Sequence, residues 1–209
     1  MQKPMLAHKF DEDRVDWSKP VYVQPKLDGV RCLFTQDGAF SRTGKQFKNL
    51  AHIELALKPF FKDNPDVTLD GELYNHKLKR DFEKIISLVR KQKPTDDDRL
   101  DAQHLVQFHV YDYISSPVYD SYETRMNNLV VSNIYDAQIK YVHSSLVKDL
   151  KHAQAIHVIN LDAGYEGSIL RLDGLYKHGR SYDLMKFKDF HDTEATIVSY
   201  VVGKGKRTG

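Results

Sequence analysis

Lys26-Leu27-Asp28-Gly29-Val30-Arg31 follows the apolar run Val21-Tyr22-Val23 and the dipeptide Gln24-Pro25. The β-branched and aromatic residues of the run predict a strand, and Pro25 holds Gln24 extended. Lys26 is therefore expected at a strand end, at the mouth of a site. Gly29 permits a turn that other residues resist, and Val30-Arg31-Cys32-Leu33-Phe34 resumes a strand. A free lysine titrates near ~10.4 and is a poor nucleophile at neutral pH. Metal cations, other basic groups or desolvation lower that value until the neutral amine attacks. A solvated Lys-Asp pair at a strand end has the same local sequence, so the hexapeptide needs support from the rest of the chain.

The bounds are permissive. The chain has 209 residues, 41% of them hydrophobic, which is enough for one substantial domain with a packed core. A net charge of +2 neither demands nor excludes nucleic acid, so phosphate binding must come from local clusters. The single Cys32 cannot form an internal disulfide, as suits a reducing compartment. No apolar run approaches the ~20 residues that span a bilayer, and the amino terminus has no secretory signal pattern. The expectation is a soluble cytoplasmic protein that does not enter membranes.

Outward from the hexapeptide, Met1 to Pro20 reads as mostly irregular. Asp37-Gly38 between two apolar runs predicts a two-residue hairpin, which returns Ser41-Arg42-Thr43-Gly44-Lys45 toward Lys26. Asn49 is the expected cap of a helix through Leu50, Ile53, Leu57 and Phe60, stopped at Asn64-Pro65. Val67-Thr68-Leu69 enters a strand ending in Asp70-Gly71-Glu72-Leu73-Tyr74, with Asp70 and Glu72 on one face. Asp81 caps a helix running toward Pro94, and Lys93 to Arg99 reads as a charged loop whose Asp96-Asp97-Asp98 is solvated. Leu105 to Ile114 is a long strand pattern containing Phe108, His109, Tyr111 and Asp112. A helix over Tyr122–Val131 carries Arg125 as a brace, Ile139 to Val142 is a strand, and Ser144/Ser145 start a helix ending at Gly164. Tyr165-Glu166-Gly167 then leads into the strand Ser168-Ile169-Leu170-Arg171. Leu184-Met185-Lys186-Phe187-Lys188 puts two lysines on one strand face, after the basic loop Tyr176 to Ser181.

The hexapeptide Lys-x-Asp-Gly-x-Arg, then Ser-Arg-x-Gly, Asp-Gly-Glu, aromatic-Asp, Glu-Gly and Lys-x-Lys, in that order, resembles the covalent nucleotidyltransferases, and among them the small ATP-dependent DNA ligases. The resemblance covers nearly the whole chain from about Pro4. It implies an α+β fold, an ATP-grasp-like nucleotidyltransferase domain over 1–190 with antiparallel sheets flanked by helices. Residues 191–209 resemble a linker and the first strand of a truncated OB-fold. It implies that Lys26 takes AMP from ATP, with Pro25, Leu27, Arg31, Arg42, Glu72, Tyr111, Lys186 and Lys188 around the nucleotide. Glu72 would hold the ribose hydroxyls and the Tyr111 ring would stack on the purine. Glu166, and more weakly Asp70, would hold Mg2+; Arg42, Lys45 and Arg180 would touch DNA. The implied partner is nicked duplex DNA, handled by a monomer in repair, replication or recombination.

Two features depart from that pattern. Gln24 stands where many DNA ligases have glutamate, and Tyr111 stands where most have phenylalanine. RNA ligases and mRNA capping enzymes share the superfamily motifs, but Ser41-Arg42-Thr43-Gly44 and Asp70-Gly71-Glu72-Leu73-Tyr74 favour the DNA ligase form. A non-catalytic nucleotide- or DNA-binding module is the alternative of another class, and retention of every charged motif residue argues against it.

Overall fold

The computed structural model of the chain describes residues 3–187 apart from 80, 116–118 and 135. Lys188 and the OB-fold strand expected after 190 lie outside the described residues. In chain order the elements are β1 (Leu6–Lys9), β2 (Val21–Pro25), β3 (Val30–Thr35), β4 (Gly38–Ser41), α1 (Ala51–Asp63), β5 (Thr68–Tyr74), α2 (Phe82–Val89), α3 (Asp96–Leu105) and β6 (Gln107–Ile114). They continue with α4 (Tyr122–Val131), β7 (Ile139–Tyr141), β8 (Ser145–Val147), α5 (Leu150–Asp162), β9 (Ser168–Leu172) and β10 (Arg180–Phe187).

The strands form two five-stranded sheets, ordered β1-β10-β9-β2-β8 and β4-β3-β5-β6-β7. This is the expected α+β class, with one correction at an edge of each sheet: β1 runs parallel to β10, and β7 runs parallel to β6. The second sheet covers a large apolar core in which Phe34, Leu57, Leu69, Ile85 and Phe108 are buried together. Beside the first sheet a smaller cluster holds Val21, Val23, Val147, Ala153, Leu170 and Met185. No described helix is long and apolar enough to cross a membrane.

Several local expectations are corrected by tertiary contacts. The amino-terminal lead-in is not all irregular, because the free edge of β10 offers Leu6–Lys9 a partner for its backbone groups. The hairpin loop is Gln36-Asp37 and not Asp37-Gly38: Thr35 pairs with Gly38, which takes the positive φ of 117° after the turn. Asn49 does not cap α1. Leu50 holds that position without a side-chain bond, while the Asn49 amide donates to the carbonyls of Leu88 at 3.1 Å and Asp98 at 3.0 Å.

The acidic triplet is the first turn of α3 and not a loop. Thr95 and Asp98 form a reciprocal capping box there, and carboxylates suit the positive end of the helix dipole. The α2 helix stops at Val89, short of the expected end near Pro94. Ser145–Val147 is a strand rather than a helix start, since it pairs with the outer edge of β2, and Asp149 caps the helix that follows. Arg180 and Ser181 belong to β10, not to a loop before it.

Candidate active site

A cleft of about 280 Å³ opens between the two sheets. From the first sheet's side it is lined by Pro25, Lys26, Leu27, Ile169, Arg180 and Lys186; from the second by Arg31, Arg42, Glu72 and Tyr111. Of the residues read from sequence as one constellation, Pro25, Lys26, Leu27, Arg31, Arg42, Glu72, Tyr111, Arg180 and Lys186 thus line one cleft, whereas Lys45, Asp70 and Glu166 do not.

Lys26 stands just beyond the end of β2, as the proline-terminated strand predicts. Its backbone continues the β2–β9 ladder: the Lys26 amide donates to the Gly167 carbonyl at 2.9 Å, and the Glu166 amide donates to the Lys26 carbonyl at 3.2 Å. That pairing fixes the two side chains as neighbours, and Lys26 Nζ donates to Glu166 Oε2. The Lys26 side chain is 16% exposed, so an amine held by a carboxylate sits largely out of water at the cleft wall. Gly29 has a steric reason: a Cβ there would lie 2.8 Å from Glu72 Cγ and would also run into the Leu73 backbone.

Arg31 and Glu72 are direct cross-strand partners of β3 and β5. The Arg31 guanidinium turns to Asp70, which accepts from Nε at 2.9 Å and also from Nη2. Asp70 is fully buried and accepts a further bond of 2.6 Å from Tyr176 Oη. This corrects the weaker metal expectation for Asp70, whose oxygens are spent on holding Arg31 and Tyr176. Glu72 is different. Burial pushes its carboxyl up to about 7, against the opposing pull of Arg31 and Lys26. Such a group gains from any ligand that supplies hydrogen-bond donors to it.

Tyr111 owes its place to a β-bulge. Asp70 pairs with Asp112 and Gly71 with Val110, so Tyr111 is an extra residue on β6 with no partner on β5. Its ring lies 5.4 Å from the Arg31 guanidinium and 5.3 Å from that of Arg171, both measured to the ring centroid. Phe108 is fully buried core, as its position in the strand predicts. His109 is held by Gln107 at 3.1 Å, and burial first, with Lys140 and His76, pushes it down to about 4. It is therefore a neutral structural histidine near neutral pH.

Sequence reasoning missed the floor of the cleft. Arg171, 3% exposed, donates from Nε to Gln24 Oε1 at 2.6 Å and from Nη1 to Asp112 Oδ2 at 2.7 Å. Gln24 donates onward to Tyr122 Oη and Ser144 Oγ, each at 2.9 Å. Asp112 also accepts from Arg125 Nε at 2.6 Å, which makes Arg125 the brace that was expected. The available signal was Arg171 itself, a cation inside the apolar strand Ile169-Leu170-Arg171-Leu172.

The basic residues divide. Arg42 lines the cleft and also an adjoining groove, where Lys45 and the unforeseen Arg90 accompany it. Arg180 and Lys186 are on β10, where Arg180 Nη1 is held by the Ala7 carbonyl at 2.6 Å. Among the described residues no group of three or more His, Cys, Asp or Glu side chains is arranged to hold a metal ion. Glu166 fits a magnesium site only as the carboxylate that complements substrate phosphates, the usual pattern for that ion.

The family model for the ATP dependent DNA ligase domain matches residues 4–188. The chain belongs to that family. Among relatives of this ATP-dependent DNA ligase domain is the DNA ligase of Enterobacteria phage T4, 27% identical over 94% of this chain and 50% of the phage protein. The DNA ligase of Haemophilus influenzae is 26% identical over 97% of this chain and 69% of its own length. The chain spans about half the length of the phage relatives it matches. Solved structures agree on the fold: a Lig E DNA ligase superposes with a TM-score of 0.76 at 24% identity, covering 100% of this chain and 77% of that one. The Chlorella virus DNA ligase-adenylate superposes with a TM-score of 0.69 at 26% identity, covering 96% of this chain and 72% of that one.

Proposed function

We propose that this domain carries out the nucleotidyl-transfer chemistry of an ATP-dependent DNA ligase that seals nicks in duplex DNA. The observation that carries the reading is that Lys26, Arg31, Arg42, Glu72, Tyr111 and Lys186 line one cleft between two sheets, with Glu166 against the Lys26 amine. Nζ of Lys26 attacks the α-phosphorus of ATP, forming a P–N bond as the bond to the β-phosphate oxygen breaks and pyrophosphate leaves. The amine must give up a proton, and Glu166 Oε2 is the adjoining acceptor. AMP then passes to the 5′-phosphate at the nick, which restores the amine. Attack by the 3′-hydroxyl on that activated phosphate closes the strand and expels AMP.

Glu72 takes the ribose hydroxyls, the Tyr111 ring takes the base, and Arg31, Arg42 and Lys186 take phosphate oxygens. Lys188 is assigned to the phosphates on sequence alone. Bound Mg2+ would supply charge neutralisation at the phosphates, with Glu166 the residue fitted to hold it. The groove of Arg42, Lys45 and Arg90 follows the DNA backbone, and Arg180 meets it from the wall of the adjoining cleft. We infer a monomer acting in the cytoplasm, consistent with the one buried free thiol, Cys32.

The test is incubation of the chain with labelled ATP or GTP and magnesium, followed by a chase with nicked DNA or nicked RNA. An acid-labile label on the protein with ATP, absent in Lys26→Ala and discharged by nicked DNA, is the expected result. Label retained in Lys26→Ala, or none in a version extended to the full length of the phage relatives, would sink the reading. Preference for GTP would move it to a capping activity.

A further inference from the structure

The nucleotide cleft contains one contact that the roles above do not use. Tyr111 Oη donates to Glu72 Oε2 at 3.3 Å, joining the side chain assigned to the base to the side chain assigned to the sugar. Two features make this a built arrangement. The bulge at Tyr111 takes it out of register with β5 and leaves its side chain beside Glu72 of that strand. The guanidiniums of Arg31 and Arg171, each within 5.4 Å of the ring centroid, then restrain the ring, so the direction of its hydroxyl is set by the cleft floor. Phenylalanine at this position would keep the ring and both cation contacts and lose only the donor.

We propose that the Tyr111 hydroxyl is a positioning group that aims the Glu72 carboxylate at the ribose hydroxyls of the nucleotide, so that Tyr111 contributes to selectivity for a ribonucleotide. The inference rests on the ligase reading of the site. A carboxylate has two oxygens: one accepts from Tyr111 and the other is left for the sugar. The arrangement also favours the ionised carboxylate, because a hydrogen bond to the charged form stabilises it against the desolvation that raises this group. The charged and titratable groups facing Glu72 are Arg31 from β3, Asp70 from its own strand, Lys26 beyond β2 and Tyr111 from β6. Among these, Tyr111→Phe removes a neutral donor without altering any fixed charge.

The experiment compares formation of the lysyl-nucleotide with ATP and with 2′,3′-dideoxy-ATP, across pH, for the parent chain, Tyr111→Phe, Glu72→Gln and the double variant. Tyr111→Phe is expected to raise KM for ATP about five-fold, the equilibrium worth of one hydrogen bond of ordinary strength. For the dideoxy nucleotide, which has no sugar hydroxyls to misplace, the change should stay under about two-fold. The acidic limb of the ATP rate profile should move to higher pH, and Tyr111→Phe should add little once Glu72→Gln is present. Equal losses with both nucleotides, or no change with either, would overturn the inference and leave Tyr111 as a base contact alone. Absence of the adduct with ATP in a version extended to the full length of the phage relatives would instead overturn the ligase reading on which it rests.

Discussion

The two sheets are held in different ways. The second sheet lies over a continuous apolar core, from Phe34 and Leu57 through Leu69 to Phe108, and carries Arg31, Glu72 and Tyr111 on its cleft-facing side. The first sheet, which carries Lys26 and Lys186, has a small apolar cluster of its own and buries Gln24, Ser168 and Arg171. The sheets are joined by a small apolar cluster, in which Ile114 of β6 packs with Ala7 of β1 and Leu184 of β10, and by directional polar links. Asp112 of β6 accepts from Arg171 of β9, and Asp70 of β5 accepts from Tyr176, which lies between β9 and β10. Apolar packing stabilises without specifying an angle, whereas buried hydrogen-bonded charges are expensive unless their geometry is met. The registry of the amine against the nucleotide therefore depends on the polar joint more than on either core.

The strongest way to break this comparison is Asp112→Ala. It strands the guanidiniums of Arg171 and Arg125 in the interior, and loss of one partner from a buried pair costs roughly 3–5 kcal/mol. Urea unfolding should show a loss of that size, together with loss of adduct formation; a cost near zero would mean that the joint does not hold the sheets. Next in size is Leu57→Ala in the large core, which should cost about 2–4 kcal/mol. Here adduct formation per folded molecule should stay close to the parent value, because Leu57 lies away from the joint. A raised KM for ATP in this variant would show that the two regions are mechanically one.

The smallest expected effect concerns Glu72. Its carboxyl sits at about 7 in the folded chain, above its ordinary value of 4.5, so between those values the folded state binds more protons than the unfolded one. The stability tied to this group is present below about 4.5 and is lost as pH rises through about 7. Melting curves at pH 5 and pH 8 should therefore differ by a smaller amount in Glu72→Gln than in the parent chain. Equal differences would mean that Glu72 is already ionised across this range and needs no donor from the nucleotide.

Much of the site was legible because its chemistry is written in short local patterns. Lys26 after a proline-ended strand, Glu72 on a strand face and Glu166 before a strand are positions that alternation and turn residues specify. Edges and caps were harder to read. Leu6–Lys9 and Ser145–Val147 have no strong pattern of their own, and they are strands because β10 and β2 present unpaired edges to them. Asn49 looked like a cap by residue type and was drawn instead to carbonyls at Leu88 and Asp98, far along the chain.

The sequence by itself determined the order and chemical kind of the groups in the cleft, since a nucleophilic amine, carboxylates and phosphate-binding cations are properties of side chains. Only the tertiary structure decided that Asp70 is a brace for Arg31, that Arg171 and Gln24 form the floor, and that a bulge turns Tyr111 onto Glu72. Those outcomes depend on which distant strands pair and in what register. A one-residue change in pairing is invisible to local pattern, yet it moves a side chain from one partner to another.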